Sequence, residues 1–291
     1  MLPGMATLTG TGVWSSTLRY GDPAASADAA AELEAMGYSA IWVPDVGGDL
    51  WTPLDALLGA TTTMTVATGI LNLWLHEPDE VATHFADLST RHADRLLLGI
   101  GVSHGTFVDA TGIGTYTRPL ARMRGYLDAL DAADPPVPRD RRVLAALGPR
   151  MLELAGSRAA GTHPYLVVPE HTARAREALG PGPLVAPEQA VVLTTDADRA
   201  RELGRRYLAI YLGLPNYANN WFRVGFTEDD TRDGGSDRLV DALVAWGDEA
   251  TIAARVQDQI ALAVVEPVFA VRRQVPPLQE VVWQHQAPLR V

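Results

Sequence analysis

Eight times along this chain a short run of β-branched and aliphatic residues gives way to a polar loop and then to an amphipathic segment. That alternation is the pattern of βα units laid around a parallel sheet. The runs are TGVWSS (11–16), SAIWVP (39–44), TVATGI (65–70), RLLLGIG (95–101), RVLAAL (142–147), HPYLVV (163–168), QAVVLT (189–194) and PVFAV (267–271). Between them, Asp22-Pro23, Thr52-Pro53, Glu77-Pro78 and Arg118-Pro119 place proline where a first helical turn has no N–H to lose. Gly37 closes the first helix, and Pro135-Pro136 follows the helix carrying Leu120, Met123, Leu127 and Leu130.

Eight such units in 291 residues fit a (β/α)8 TIM barrel better than an open doubly wound sheet. A dinucleotide-binding sheet would carry a glycine-rich turn after its first strand, where this chain has Thr17-Leu18-Arg19-Tyr20. The one irregularity is the long stretch between the seventh and eighth runs, read as a helical insertion at about 195–262 within a single α/β domain over 1–291.

Composition narrows the partners. A formal charge of −11 and a pI near 5.0 argue against a nucleic-acid groove or an anionic membrane surface, both of which need an excess of basic side chains. Cysteine is absent, which excludes disulfides, thiolate nucleophiles and Cys-ligated metals. Lysine is absent too, so Schiff-base and P-loop lysine chemistry fall away. The bias to Ala, Arg and Pro suggests a GC-rich genome. The N-terminus lacks a basic start followed by an apolar run, and no window nears 18 consecutive apolar residues, so the chain reads as soluble and cytoplasmic, with no membrane partner.

Active sites of (β/α)8 barrels lie at the C-terminal ends of the strands. There the sequence places Asp45, Asn72, His76, Ser103, His104, Gly148-Pro149-Arg150, Glu170 and His171. The segment LGPRMLELAG opens a helix directly after a strand, and free N–H groups beside Arg150 would suit a phosphate; by itself a Gly-Pro start is more often plain turn chemistry. Three histidines at strand ends invite a metal, but no H-x-H, H-E-x-x-H or close carboxylate cluster supports one, and no metal is expected. Each is equally a hydrogen-bonded loop residue, and His84, His92, His163 and His285 receive no role. In MTVATGILNLWLHEP (64–78), Gly69 interrupts an apolar strand, the mark of a bulge or of a close approach to the backbone. Tyr217, Trp221 and Phe222 in the insertion suggest a ring-bearing substrate under a cover, though such spacing is more often packing.

These residues resemble the luciferase-like monooxygenase superfamily, in particular its branch using the deazaflavin coenzyme F420. The matching pieces are AAELEAMGYSAIWVPD (30–45), VATGILNLWLHEPDEVA (66–82), HADRLLLGIGVSH (92–104), TGIGTYTRPLARMRGYLDALD (111–131), LAALGPRMLELAGSRAAGTHPYLVVPEHTARAREALG (144–180) and YLGLPNYANNWFRVGF (211–226). The resemblance implies a cis bond at Gly69-Ile70, forming a bulge on which the cofactor ring leans; a trans bulge is the alternative. It implies cofactor contacts from Asp45, Asn72, Gly101, Val102 and Ser103, and a phosphate at the helix start Gly148, Pro149, Arg150, Met151. Several members carry a histidine after the strand-two acid, where Val46 stands here. His104 is the nearest replacement for proton transfer, with His171 and Glu170 behind it. The implied function is an F420-dependent oxidoreductase acting on a small organic substrate. An FMN-dependent monooxygenase and a non-catalytic cofactor-binding relative are the alternatives. A homodimer is expected through barrel helices, with Leu57, Leu58, Val81 and Phe85 as candidate exposed contacts, although these residues could equally face the barrel.

Overall fold

The computed structural model describes residue 8, residues 10–263 and residues 269–272. Eleven strands are present among them: β1 (Thr11–Trp14), β2 (Ala40–Val43), β3 (Thr65–Thr68), β4 (Leu71–Asn72), β5 (Leu96–Gly101), β6 (Arg142–Leu144), β7 (Gly161–Thr162), β8 (Leu184–Val185), β9 (Glu188–Leu193), β10 (Val244–Gly247) and β11 (Phe269–Arg272). Every ladder is parallel, in the order β10-β9-β11-β1-β2-β3-β5-β6-β7-β8, with β4 paired to β5 beside the end of β3. Helices join most successive strands, as parallel pairing requires, the exceptions being the two-residue links from β3 to β4 and from β8 to β9.

The sheet curls on itself. β8 and β9 sit far apart on the hydrogen-bonded path yet are separated in the chain by Ala186-Pro187 alone, so covalent continuity draws the two flanks together. The expected seventh strand, 189–194, is met by β9, which pairs with β11 and β10, while β8, ahead of Pro187 and paired to β7, is a short additional strand; proline offers no ladder donor between the two. The expectation of a closed (β/α)8 barrel is corrected accordingly: no ladder joins the flanks β10 and β8 among the described residues. The expected sixth strand, 163–168, is displaced. Ladder pairing there is confined to β7, because Pro164 has no N–H and Leu166 takes a positive φ of 52°. The stretch 195–262 contains β10 as well as helices, and so is not purely helical. Residues 267–268 of the last expected run lie outside the described residues, while β11 occupies its remainder.

Apolar runs lacking strict polar alternation suit strands buried on both faces. Trp14, Trp42, Ala67, Leu97 and Val143 gather on the inner face of the curl. Their neighbours Ile41, Val43, Val66, Leu96, Leu98 and Leu144 pack outward under the helices, as the two-residue period of a strand demands. Leu57, Leu58, Val81 and Phe85 belong to that outer core, none more than 4% exposed, and so supply no surface for a dimer contact. Three of the four proline helix starts are as read: Asp22 caps Pro23–Ala35 by accepting from Ala25 N at 2.9 Å, and helices begin at Pro78 and Pro119. The fourth begins earlier, at Trp51.

Gly99 marks the tightest approach between β3 and β5, since a Cβ there would lie 2.1 Å from the Thr68 carbonyl oxygen. Backbone cannot yield as a side chain can. Gly99→Ala should therefore lose about 3 kcal/mol of stability, the upper part of the usual overpacking range. Urea unfolding checks this, and an unchanged midpoint would contradict the packing described.

Candidate active site

At the C-terminal ends of the strands a cavity of about 860 Å³ opens. One wall is the junction of β3 and β4, where the Gly69-Ile70 peptide bond is cis. The Trp14 indole N–H donates to the Gly69 carbonyl at 2.8 Å. A Cβ on residue 69 would stand 2.8 Å from Trp14 Nε1 and 3.1 Å from His163 Nε2. The glycine is thus required by what lies beneath the strand. Ile70 in turn lies over Gly101, where a Cβ would come 2.5 Å from Ile70 Cδ1.

Asp45 anchors this wall from behind. Its Oδ1 accepts from Arg19 Nη1 at 2.9 Å and from Gly47 N at 3.3 Å. Its Oδ2 accepts from Asn72 N at 3.0 Å and lies 2.9 Å from His76 Nε2. Arg19 also donates to the carbonyls of Pro44 and Gly47. The side chains of Arg19 and Asp45 have no exposed surface, so the carboxylate is sealed although the residue borders the cavity. Burial alone would raise the Asp45 carboxyl; the bond to His76, the Arg19 charge and the Asn72 N–H outweigh it and hold it below its ordinary value. His76 responds in the opposite sense. Burial disfavours its charged form, but Asp45 and then Glu80 raise it above its ordinary value.

The cavity is also lined by Asn72, Gly101, Val102, Ser103, His104, Gly148 and Met151. Ser103 has a positive φ of 58°, which turns the chain so that His104 opens the helix Gly105–Thr111. Burial pushes the His104 imidazole down, against a bond to Asn216 that raises it. Its Nδ1 is buried without a partner. Gly148 begins the ten-residue helix Pro149–Arg158 with no side chain capping it. That uncapped start facing the cavity is what an anionic group needs. Pro149 and Arg150 are exposed, outside the lining. His171 also lies outside it, 2% exposed with Nε2 3.1 Å from the Leu147 carbonyl, and burial pushes it down to about 4. Glu170 is exposed and away from the cavity.

Several lining groups carry no signal in the sequence. Trp14 belongs to a strand, and His163 reads as a strand start; yet the His163 ring stacks on Trp42 at 4.1 Å and its Nδ1 lies 2.7 Å from the Ala186 carbonyl. Complete burial pushes it down to about 4. Tyr165, Tyr207, Tyr211 and Tyr217 also line the cavity, Tyr165 with its ring 5.5 Å from that of Trp14. Of the aromatic residues picked from the insertion, Tyr217 faces the cavity, whereas Trp221 is core, its indole N–H donating to Leu166 O at 3.0 Å. Phe222 is half-buried and outside the lining.

The curled parallel sheet with a glycine-bordered cavity at its strand ends is an α/β fold of barrel type. The family model described as luciferase-like monooxygenase matches residues 3–266, and the chain belongs to that family. A 5,10-methylenetetrahydromethanopterin reductase of Methanolobus tindarius is 26% identical over 149 residues, 42% of this chain and 44% of that one, so the match spans under half of the relative. Among solved structures, the coenzyme F420 dependent tetrahydromethanopterin reductase of Methanopyrus kandleri superimposes with a TM-score of 0.71 at 17% identity, over 93% of this chain and 94% of the other. The oxygenating constituent of 3,6-diketocamphane monooxygenase from Pseudomonas putida, in complex with FMN, gives 0.63 at 15% identity, over 91% and 92%. At these identities the structures establish a shared fold. Family membership supports an oxidoreductase. No helix among the described residues is long and apolar enough to cross a membrane.

The His76–Asp45 pair sets a pH dependence whose sign follows from the two shifts. His76 is raised above its ordinary 6.5, so its contribution is complete below that value and is lost as pH rises through the folded-state value. Asp45 is lowered from 3.8, so its contribution is present above that value and is lost as pH falls through the folded-state value. Urea midpoints should decline as pH rises above 6.5 in the parent and decline less in His76→Gln. Equal slopes would show that the pair contributes nothing to this dependence.

Proposed function

We propose that this chain is an F420-dependent oxidoreductase that moves a hydride between the deazaflavin C5 and a small organic substrate. The observation that carries the reading is the meeting of Gly69, Ile70, Asn72, the Gly101–His104 segment and the uncapped Gly148 helix start around one cavity. When bound, a deazaflavin supplies a ring carbon that accepts or releases a hydride. The chain supplies the rest. The Gly69-Ile70 junction, held by Trp14 and by Asp45 through Asn72, forms the surface against which a ring lies. Asn72, Val102 and Ser103 border it, and the Gly148 start with Met151 receives a phosphate. Pro149 and Arg150 stand beside that start, Arg150 able to reach a phosphate from outside. His104, with a buried ring nitrogen that has no partner, would supply or take up the proton that accompanies hydride transfer; His171 and Glu170, away from the cavity, are set aside for this role. An FMN-dependent reading is supported by the likeness to the FMN-bound monooxygenase fold. The rest of the proposal is a cytoplasmic enzyme built as a single barrel-type domain over 1–291, carrying 195–262 as an insertion. It pairs as a homodimer, for which the family resemblance is the support, and light scattering is the test.

Titrating purified protein with F420 and with FMN while following cofactor fluorescence tests the reading. F420 should be quenched at lower protein concentration than FMN; the reverse order would replace F420 with FMN, and quenching of neither would remove the cofactor altogether. With the preferred cofactor, His104→Ala should lower turnover by about 10² to 10⁴, the usual worth of general acid–base help. Cofactor affinity should change little. Weakened binding with normal turnover at saturation would make His104 a cofactor contact.

A further inference from the structure

The two ring nitrogens of His104 have different surroundings. The imidazole bonds the side chain of Asn216, which lines the same cavity as the second residue of the helix Pro215–Arg223. Nδ1 is buried and has no partner, so the bonded nitrogen is Nε2. His104 precedes the helix Gly105–Thr111, but its side chain makes no cap bond to that helix. Tyr217, next along from Asn216, is 6% exposed and has its ring 5.4 Å from the imidazole, which fixes the start of its helix against His104.

The sense of the Asn216 bond sets the tautomer. The bond raises the imidazole, and one that favours the charged ring is one in which a ring N–H donates. Nε2–H therefore donates to Asn216 Oδ1. A neutral imidazole has one proton, so Nδ1 keeps a lone pair. Burial and Asn216 are the influences on this ring, and neither a carboxylate nor a guanidinium acts on it. The phenols beside it, Tyr217 and Tyr116, are both raised by burial and stay uncharged, Tyr116 donating to the Ser103 carbonyl at 3.4 Å. The charged residues bordering the cavity are the sealed Asp45 and the exposed Arg206 and Arg223.

We propose that Asn216 is a positioning residue for His104: it holds the imidazole as the Nε2–H tautomer, so that Nδ1 is the atom that takes a proton from a neutral O–H or N–H group of the bound molecule. This rests on the reading of His104 as the proton-transfer residue and assigns it an atom and a direction. The donor's O–H or N–H bond breaks, its electron pair stays on the heteroatom, and the proton forms the Nδ1–H bond. The ring becomes an imidazolium whose Nε2–H remains on Asn216 Oδ1. The reverse reaction starts from that imidazolium. A buried acceptor left without a donor is costly, and a ligand that brings one relieves the cost. The site therefore favours a neutral hydroxyl or N–H compound over an anion or a carbonyl compound, each of which sets a lone pair against a lone pair.

Long-range 1H–15N NMR of the histidine rings, on protein without cofactor above about pH 8 where an imidazole is neutral, reads the tautomer directly. His104→Gln identifies the signal among the seven histidines. In the parent, Nδ1 should show the shift of an unprotonated nitrogen and Nε2 that of an N–H. Asn216→Leu removes the acceptor, and the signals should average between the two tautomers. Asn216→Asp puts a carboxylate on Nε2–H, so the tautomer should hold while the ring's titration midpoint rises by about one pH unit, a tenfold gain in proton affinity. With the preferred cofactor, the acid limb of the turnover profile should move by the same amount. A role confined to packing would alter stability in both variants and leave tautomer and midpoint unmoved, and that result overturns the proposal. So does an Nδ1–H tautomer in the parent, which would mean that Asn216 turns its amide N–H to the ring. A midpoint that rises in Asn216→Asp while the turnover profile stays in place would overturn the reading of His104 itself, and the proton path with it.

Discussion

A single buried carboxylate holds the site together. Asp45, at the end of β2, ties Arg19 from the segment after β1, the Asn72 backbone from β4 and His76 from the following loop. Three successive βα units converge on two oxygen atoms. A buried ion pair is weak evidence of net stability, because desolvation offsets much of the attraction, but removing one partner leaves an uncompensated charge and costs about 3 to 5 kcal/mol. Its value here is geometric. With both oxygens engaged and no exposed surface, Asp45 acts by fixing the wall that borders the cavity.

From that anchor the cavity divides into two halves of different chemistry. The half near β3, β4 and β5 is backbone-rich: two glycines are stripped of side chains by the groups packed on them, Trp14 and His163 under Gly69 and Ile70 over Gly101. The half contributed by Tyr165 and the residues 206–223 is phenolic and apolar. The two histidines pushed down to about 4, His163 and His171, are locked by backbone carbonyls and serve packing.

Most strands and most helix starts were legible because their causes are local. Apolar runs of four to six residues, proline at a first helical turn and glycine after a last one each act within a few positions. The misplacements have equally physical origins. Pro164 and Pro187 cut ladders that apolar character alone would continue, and β10 follows the helix Asp237–Leu243 with no breaking residue between them. Leu57, Leu58, Val81 and Phe85 read as exposed or inward with equal ease, since a helix next to a buried sheet has little polar contrast to betray its orientation. In the site, residues following a strand directly, from Asp45 to Gly148, could be named from position. Tyr165 and Tyr207 could not, being far apart in sequence and joined by one hydrogen bond.

The sequence by itself determined that this chain is a repeated βα protein without thiol or lysine chemistry, with glycine at 69 and 101 and a Gly-Pro helix start at 148. Those features follow from composition and from interactions spanning a few residues. Tertiary structure alone decided that the Asp45 carboxylate is sealed, that Gly69 is bare because of Trp14, that His171 points into packing and that the Tyr207 hydroxyl meets Tyr165 and Glu188. Each depends on contacts between residues well separated in the chain, from 19 positions between Tyr207 and Glu188 to 55 between Trp14 and Gly69, and no local pattern encodes which distant side chain will fill a given space.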